Sequence, residues 1–206
     1  MNNIITLDNI SLKINNNILL NNINLVVNTK KTTLITGHNG AGKTSLLKIL
    51  GKIVSPTRGI VNYGNDYKLK KTAFSFQEPI FLNRSVGSNL EHALTCYNGR
   101  YSHRYKYLIN EILSEFNIIK LKHKLANNLS TGEKKIVSYI RCAVLNPHMI
   151  FLDEPYAHLD DRYVKLISEH IFTLSKKTKV FIVTHESSSY RDEDFHIIKM
   201  NKGSIV

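Results

Sequence analysis

Gly37-His38-Asn39-Gly40-Ala41-Gly42-Lys43-Thr44 forms a complete G-x-x-x-x-G-K-[ST] stretch, and its flanks decide what it is. Leu34 and Ile35 before it read as the end of a buried strand, and Ser45-Leu46-Leu47-Lys48-Ile49-Leu50 after it reads as a helix. A glycine-rich turn between strand and helix lets the backbone wrap closely round a polyphosphate. Its N–H groups point inward and the helix N-terminus adds partial positive charge. Gly37, His38, Asn39, Gly40, Ala41, Gly42, Lys43, Thr44 and Ser45 are therefore the expected nucleotide-binding set. Lys43 is placed to reach the outer phosphates, and Thr44 to offer its hydroxyl to a magnesium ion bridging phosphate oxygens.

Outward from this loop the chain alternates strands and helices around one interruption. Ile4–Ile10, Leu12–Ile14 and Ile23–Val27 read as early strands separated by Asn-rich turns, and Ile60–Tyr63 and Ala73–Phe76 as further short strands. From Ser85 to Asn128 the pattern becomes helical, with Leu108, Ile112 and Phe116 at i, i+4, i+8 and Ile109 and Leu113 widening the stripe. A second α/β stretch runs from Met149–Leu152 through a helix with Val164, Ile167, Ile171 and Leu174 on one face to Val180–Thr184. The expected architecture is one α/β domain over residues 1–206: a parallel-sheet nucleotide core with a helical insertion at about residues 85–145.

Where the insertion returns to the core stands Leu129-Ser130-Thr131-Gly132-Glu133. It reads as a capping box, in which Ser130 accepts from the Glu133 N–H while Glu133 reaches back to the Ser130 N–H. The helix it starts carries Ile136, Ile140 and Val144 on one face. Then comes His148-Met149-Ile150-Phe151-Leu152-Asp153-Glu154-Pro155, a short apolar strand ending in two acids at its carboxyl edge, where α/β sheets place ligand chemistry. Asp153 suits a magnesium partner. Glu154, one residue on, points elsewhere and can polarise a water for attack on the γ-phosphate.

Composition narrows the setting. Of 206 residues 42% are hydrophobic, enough for a real core, and no apolar run approaches the roughly 20 residues that cross a bilayer. Met1-Asn2-Asn3-Ile4 opens straight into a strand-like segment without a basic n-region, so the chain is expected in the cytosol. Cys96 and Cys142 lack metal-ligand spacing and read as two unpaired thiols. The net charge of +12 fits either nucleic acid or a surface beside anionic lipid. The densest basic grouping is Arg100-Tyr101-Ser102-His103-Arg104-Tyr105-Lys106-Tyr107. Gly99 before it and the apolar periodicity after it read it as a loop and exposed helix start rather than a base-stacking platform.

Taken end to end, the chain resembles the ATP-binding-cassette ATPases. The Walker A loop is Gly37–Thr44, the Q-loop glutamine is Gln77 in Phe76-Gln77-Glu78-Pro79, and the signature is Leu129–Glu133. The Walker B strand is Ile150–Glu154, the D-loop Ala157-His158-Leu159-Asp160, and the switch histidine His185 in Val183-Thr184-His185-Glu186. The resemblance implies a P-loop, RecA-like α/β core, an N-terminal antiparallel β subdomain and a helical subdomain bearing the signature. It implies ATP and Mg2+ as cofactors, with Thr44, Gln77 and Asp153 on the metal and Glu154 and His185 catalytic. It also implies head-to-tail pairs in which Ser130, Gly132, Glu133 and Asp160 act at the nucleotide of a second copy.

Three positions depart from the family pattern. Thr131 replaces the usual first signature glycine, Glu133 stands where Gln is commoner, and Ile14 occupies the place of the aromatic that stacks on adenine. A free-standing cassette of this size resembles the ATPase subunit of a bacterial transporter. Such a subunit is held on the inner face of the membrane by a separate permease, with a periplasmic binding protein where the system imports. The segment from Phe76 to Leu90 is similar to oxyanion importers of the tungstate and molybdate kind. The short length also resembles the haem-export ATPase of cytochrome c maturation, and the positive charge leaves a soluble ATPase acting on nucleic acid or ribosomes as the other class.

Overall fold

Asn15 and Asn16, both in the left-handed region at φ 47° and 66°, turn the chain in two residues between β1 (Ile4–Ile14) and β2 (Asn17–Asn28). The computed structural model describes residues 4–64, 71–185 and 195–206. The early strands are longer than their asparagines suggest. Asn9 and Asn22, at φ 53° and 51°, sit where the β1–β2 register slips, so they make bulges inside continuous strands rather than turns between short ones. Side chains satisfy the N–H groups that the bulges release: Asn9 N donates to Asn24 Oδ1 at 2.9 Å and Asn22 N to Ser11 Oγ at 3.0 Å. With β4 (Arg58–Asn62) on the other side of β1, these strands form an antiparallel sheet in the order β2-β1-β4.

The second sheet is six-stranded, β5-β6-β7-β3-β8-β9. β3 (Thr32–Thr36), β5 (Thr72–Ser75), β6 (Met149–Asp153), β7 (Lys179–Thr184) and β8 (Phe195–Asn201) are parallel, and β9 (Ser204–Ile205) is antiparallel to β8. The last two strands lie beyond the elements expected from sequence. Alternation along the strands divides the core between two layers. Leu34, Ile150, Leu152, Val180 and Ile182 face α2 (Val86–Asn98), α3 (Arg104–Glu115), α4 (Thr131–Ala143) and α5 (Asp161–Ser175). Their chain neighbours Ile35, Phe151, Phe181 and Val183 face α1 (Lys43–Leu50) and the antiparallel sheet. Burial on both faces explains why β6 reads as one apolar run.

The helical stretch follows its pattern closely. Gly99, at φ 72°, ends α2, and the basic-aromatic segment supplies a short loop and the start of α3. Tyr105 is buried there, its hydroxyl donating to the Arg100 carbonyl at 2.9 Å. Ile109, Ile112, Leu113 and Phe116 enter the core, and Leu108 packs at its margin. Two 3-10 turns, Ile119–Leu121 and Ala126–Asn128, carry the chain to α4.

Candidate nucleotide site

The glycine-rich loop is pressed against backbone from two directions, which dictates its glycines. Gly42 precedes α1 at φ 97°, and a Cβ there would lie 2.8 Å from the Leu19 carbonyl oxygen. A Cβ on Gly37, at φ 147°, would come within 2.3 Å of the Met200 carbonyl oxygen of β8. The β8–β9 turn completes the clamp, for Gly203 N donates to Ala41 O at 3.0 Å. The His38 ring bridges the same two pieces, with Nδ1 2.7 Å from Asn39 O and Nε2 2.9 Å from Asn201 Oδ1. Lys43 is buried and donates to the carbonyls of Gly37 and His38 at 2.8 and 3.1 Å.

Across the loop stand the two acids at the end of β6. Asp153 is buried, and Thr44 Oγ1 donates to its carboxylate from 3.0 Å to either oxygen. Burial raises the Asp153 pKa above the ordinary aspartate value, and the Thr44 hydrogen bond offsets part of that. Glu154 takes φ 51°, unusual for a glutamate, and its N–H donates to Val183 O at 3.0 Å. That turn separates its carboxylate from Asp153 and brings Oε2 to 3.0 Å from His185 Nδ1. His185 is 53% exposed in its side chain, while Glu154 is buried. Glu186 lies outside the described residues.

A cavity of about 570 Å3 opens over these groups, lined by residues 39–45 with Gln77, Glu154, Ile18, Leu19, Lys202 and Gly203. Gly37 and His38 shape the loop from behind, Asp153 is reached through Thr44, and His185 through Glu154. Ile14, at the end of β1, is not among the residues that line this cavity. In the register of the hairpin Ile14 pairs with Asn17 and Lys13 with Ile18. Ile18 and Leu19 supply the apolar end, and Ile14 is left 46% exposed.

The signature residues lie apart from this cavity at the N-terminus of α4. The capping box is formed: Ser130 N donates to Glu133 Oε2 at 2.8 Å and Glu133 N to Ser130 Oγ at 3.2 Å. Burial alone would raise the Glu133 carboxyl, but hydrogen bonds from Lys124 and Ser130 outweigh it and hold the group below its ordinary range. Gly132 packs against the D-loop, where a Cβ would lie 3.3 Å from the His158 carbonyl oxygen. Asp160 caps α5, accepting from Tyr163 N at 3.0 Å.

Lys135, which the sequence reading did not single out, is a buried ammonium beside the site. It is 6% exposed, and its Nζ donates to the backbone carbonyls of Gln77 and of Glu154, the latter at 3.3 Å. Burial lowers its pKa, and the charges of Asp153, Glu154 and Glu78 pull it back up. The signal was its position, since Lys135 shares the buried face of α4 with Ser138, Tyr139 and Cys142 at i+3, i+4 and i+7.

Comparison with known proteins adds to this geometry. The family model described as ABC transporter matches residues 20–157. The tungstate uptake system ATP-binding protein TupC of Peptoclostridium acidaminophilum is 31% identical over 98% of this chain and 96% of its own length. The zinc import ATP-binding protein ZnuC of Ehrlichia ruminantium is 30% identical over 82% of this chain and 68% of its own. The molybdenum import ATP-binding protein ModC of a Shewanella species is 28% identical, and the match spans half of that protein. Among solved structures, the cassette MJ0796, a dimer in a post-hydrolysis state with ADP and Pi, superposes with a TM-score of 0.81 at 25% identity. The match covers 98% of this chain and 96% of that one.

Proposed function

The chain belongs to the ABC transporter family of ATP-hydrolysing cassettes, and from that premise we propose that it powers a bacterial importer of a small oxyanion such as tungstate or molybdate. The observation that carries this reading is the likeness to the tungstate protein over nearly the whole of both chains. Relatives that serve zinc and molybdenum import support the direction of transport. They lend nothing to a haem exporter or to a soluble nucleic-acid or ribosome ATPase. No helix among the described residues is long and apolar enough to cross a membrane. A separate permease would hold the cassette on the inner face of the membrane, with a periplasmic binding protein delivering the solute.

Within each site the loop and Lys43 hold the phosphates of ATP. Thr44 and Asp153, whose oxygens lie 3.0 Å apart at one end of the cavity, are the donor set of a hard cation, and Gln77 adds an amide oxygen. These residues would hold Mg2+, which when bound neutralises charge on the phosphate oxygens. Glu154 orients the attacking water and accepts its proton, while His185 fixes the Glu154 carboxylate. The signature's distance from its own cavity supports its use by a second copy. Ser130, Gly132, Glu133 and Asp160 would then complete the partner's site, the α4 N-terminus closing on the γ-phosphate.

Replacing Glu154 by Gln is expected to keep ATP affinity, lower turnover at least about a hundredfold and leave a dimer visible by light scattering in magnesium-ATP. Hydrolysis at the wild-type rate would remove Glu154 from the chemistry. In cells, deleting the gene is expected to lower tungstate and molybdate accumulation, and the Gln allele to leave it low. Unchanged accumulation with intact ATPase activity would refute the oxyanion while sparing the motor.

A further inference from the structure

Three segments converge on one buried ammonium. Lys135 stands one turn inside α4, five residues after Ser130, and donates to the carbonyls of Gln77 in the Q-loop segment and Glu154 at the end of β6. Asp153, Glu154 and Glu78 supply the negative charge around it. A buried cation is tolerated only when hydrogen bonds and opposite charge replace its water, so the ammonium holds these carbonyls closely. The capping box makes the α4 N-terminus rigid. A displacement of Ser130 therefore carries Lys135 with it, and through Lys135 the backbone on which the Gln77 and Glu154 side chains are mounted.

We infer that Lys135 is a positioning residue coupling the two ATP sites of a pair: it links the signature that a subunit lends to its partner's nucleotide with the carboxylate it keeps for its own. The inference rests on the head-to-tail reading above. When α4 of one subunit closes on the partner's ATP, the Lys135 link sets that subunit's own Glu154 and Gln77. Each site then works at full rate only when the other is filled.

Lys135→Met keeps the length and removes every donor, and Lys135→Arg restores donors. With the full chain, the Met variant is expected to bind a fluorescent ATP analogue within about threefold of wild type, to lose about tenfold in kcat, and to hydrolyse ATP with a Hill coefficient near 1. The Arg variant is expected to recover both the rate and the cooperativity of the wild type. A slow but equally cooperative Met variant would reduce Lys135 to a packing role and overturn the inference. Lys135→Leu, shorter and likewise without a donor, gives the same readings should the Met chain fold poorly. Dimer formation by Glu154→Gln in ATP tests the pair separately: its absence overturns the head-to-tail reading, whereas a dimer with unaltered cooperativity in Lys135→Met overturns only the coupling.

Discussion

Ile18 and Leu19 give the nucleotide cavity its apolar end. Aromatic stacking on a base is worth roughly 1–3 kcal/mol, and an isoleucine returns part of that by apolar burial without a π-face. Affinity then comes mainly from phosphate contacts. ATP and GTP are expected to bind within about tenfold, a difference of about 1.4 kcal/mol, measured by competition with a fluorescent nucleotide. Ile18→Tyr is expected to tighten both, and Ile14→Tyr neither, because Ile18 lines the cavity and Ile14 does not. A gain from Ile14→Tyr alone would place the base beside Ile14 instead. The phosphate loop and the acids of β6 were legible because their chemistry needs contiguous residues in one order. Ile18 and Lys135 were not, since one depends on strand register and the other on which turn of a helix meets a loop fifty-eight positions away.

Between the elements of the helical layer, α3, α4 and α5 meet around His170. Tyr139 Oη lies 2.6 Å from His170 Nδ1, Phe116 packs edge-on against both rings, and Glu115 Oε1 is 3.9 Å from Nε2. Burial lowers the His170 pKa, Glu115 opposing and Lys177 assisting. The folded imidazole resists a proton that the unfolded one accepts near pH 6.5. Its contribution to stability is thus complete above that value and lost progressively as pH falls from it through the lowered folded value. Thermal melts at about pH 7.5 and 5.5 should show a lower Tm in acid, and His170→Phe should flatten the difference. An unchanged pH slope in that variant would assign the effect elsewhere, for instance to His196, which burial also lowers. These helices were readable because a 3.6-residue stripe is a long signal. β1 and β2 were cut short by asparagines whose bulges look like turns in sequence, and β8 has no motif to announce it.

Across the whole molecule, the clamp of β8, β9 and β2 on the phosphate loop ties nucleotide binding to segments outside the loop itself. Gly203 sits at φ 78°, and a Cβ there would lie 2.8 Å from the Leu19 carbonyl oxygen. Gly203→Val is expected to cost about 2 kcal/mol or more and to weaken ATP binding in parallel, measured by denaturant unfolding and nucleotide titration. Loss of stability with full affinity would show the loop to be self-supporting. The place of β3 in the sheet has a consequence for biosynthesis. Its two hydrogen-bonded neighbours, β7 and β8, both come from the last quarter of the sequence. A ribosome therefore releases the phosphate loop long before it makes the strands that hold it, and the nascent chain carries an unpaired apolar strand through most of its synthesis. ATP binding is therefore expected only once β7 and β8 have been made, which leaves a shorter nascent cassette without a means of spending ATP.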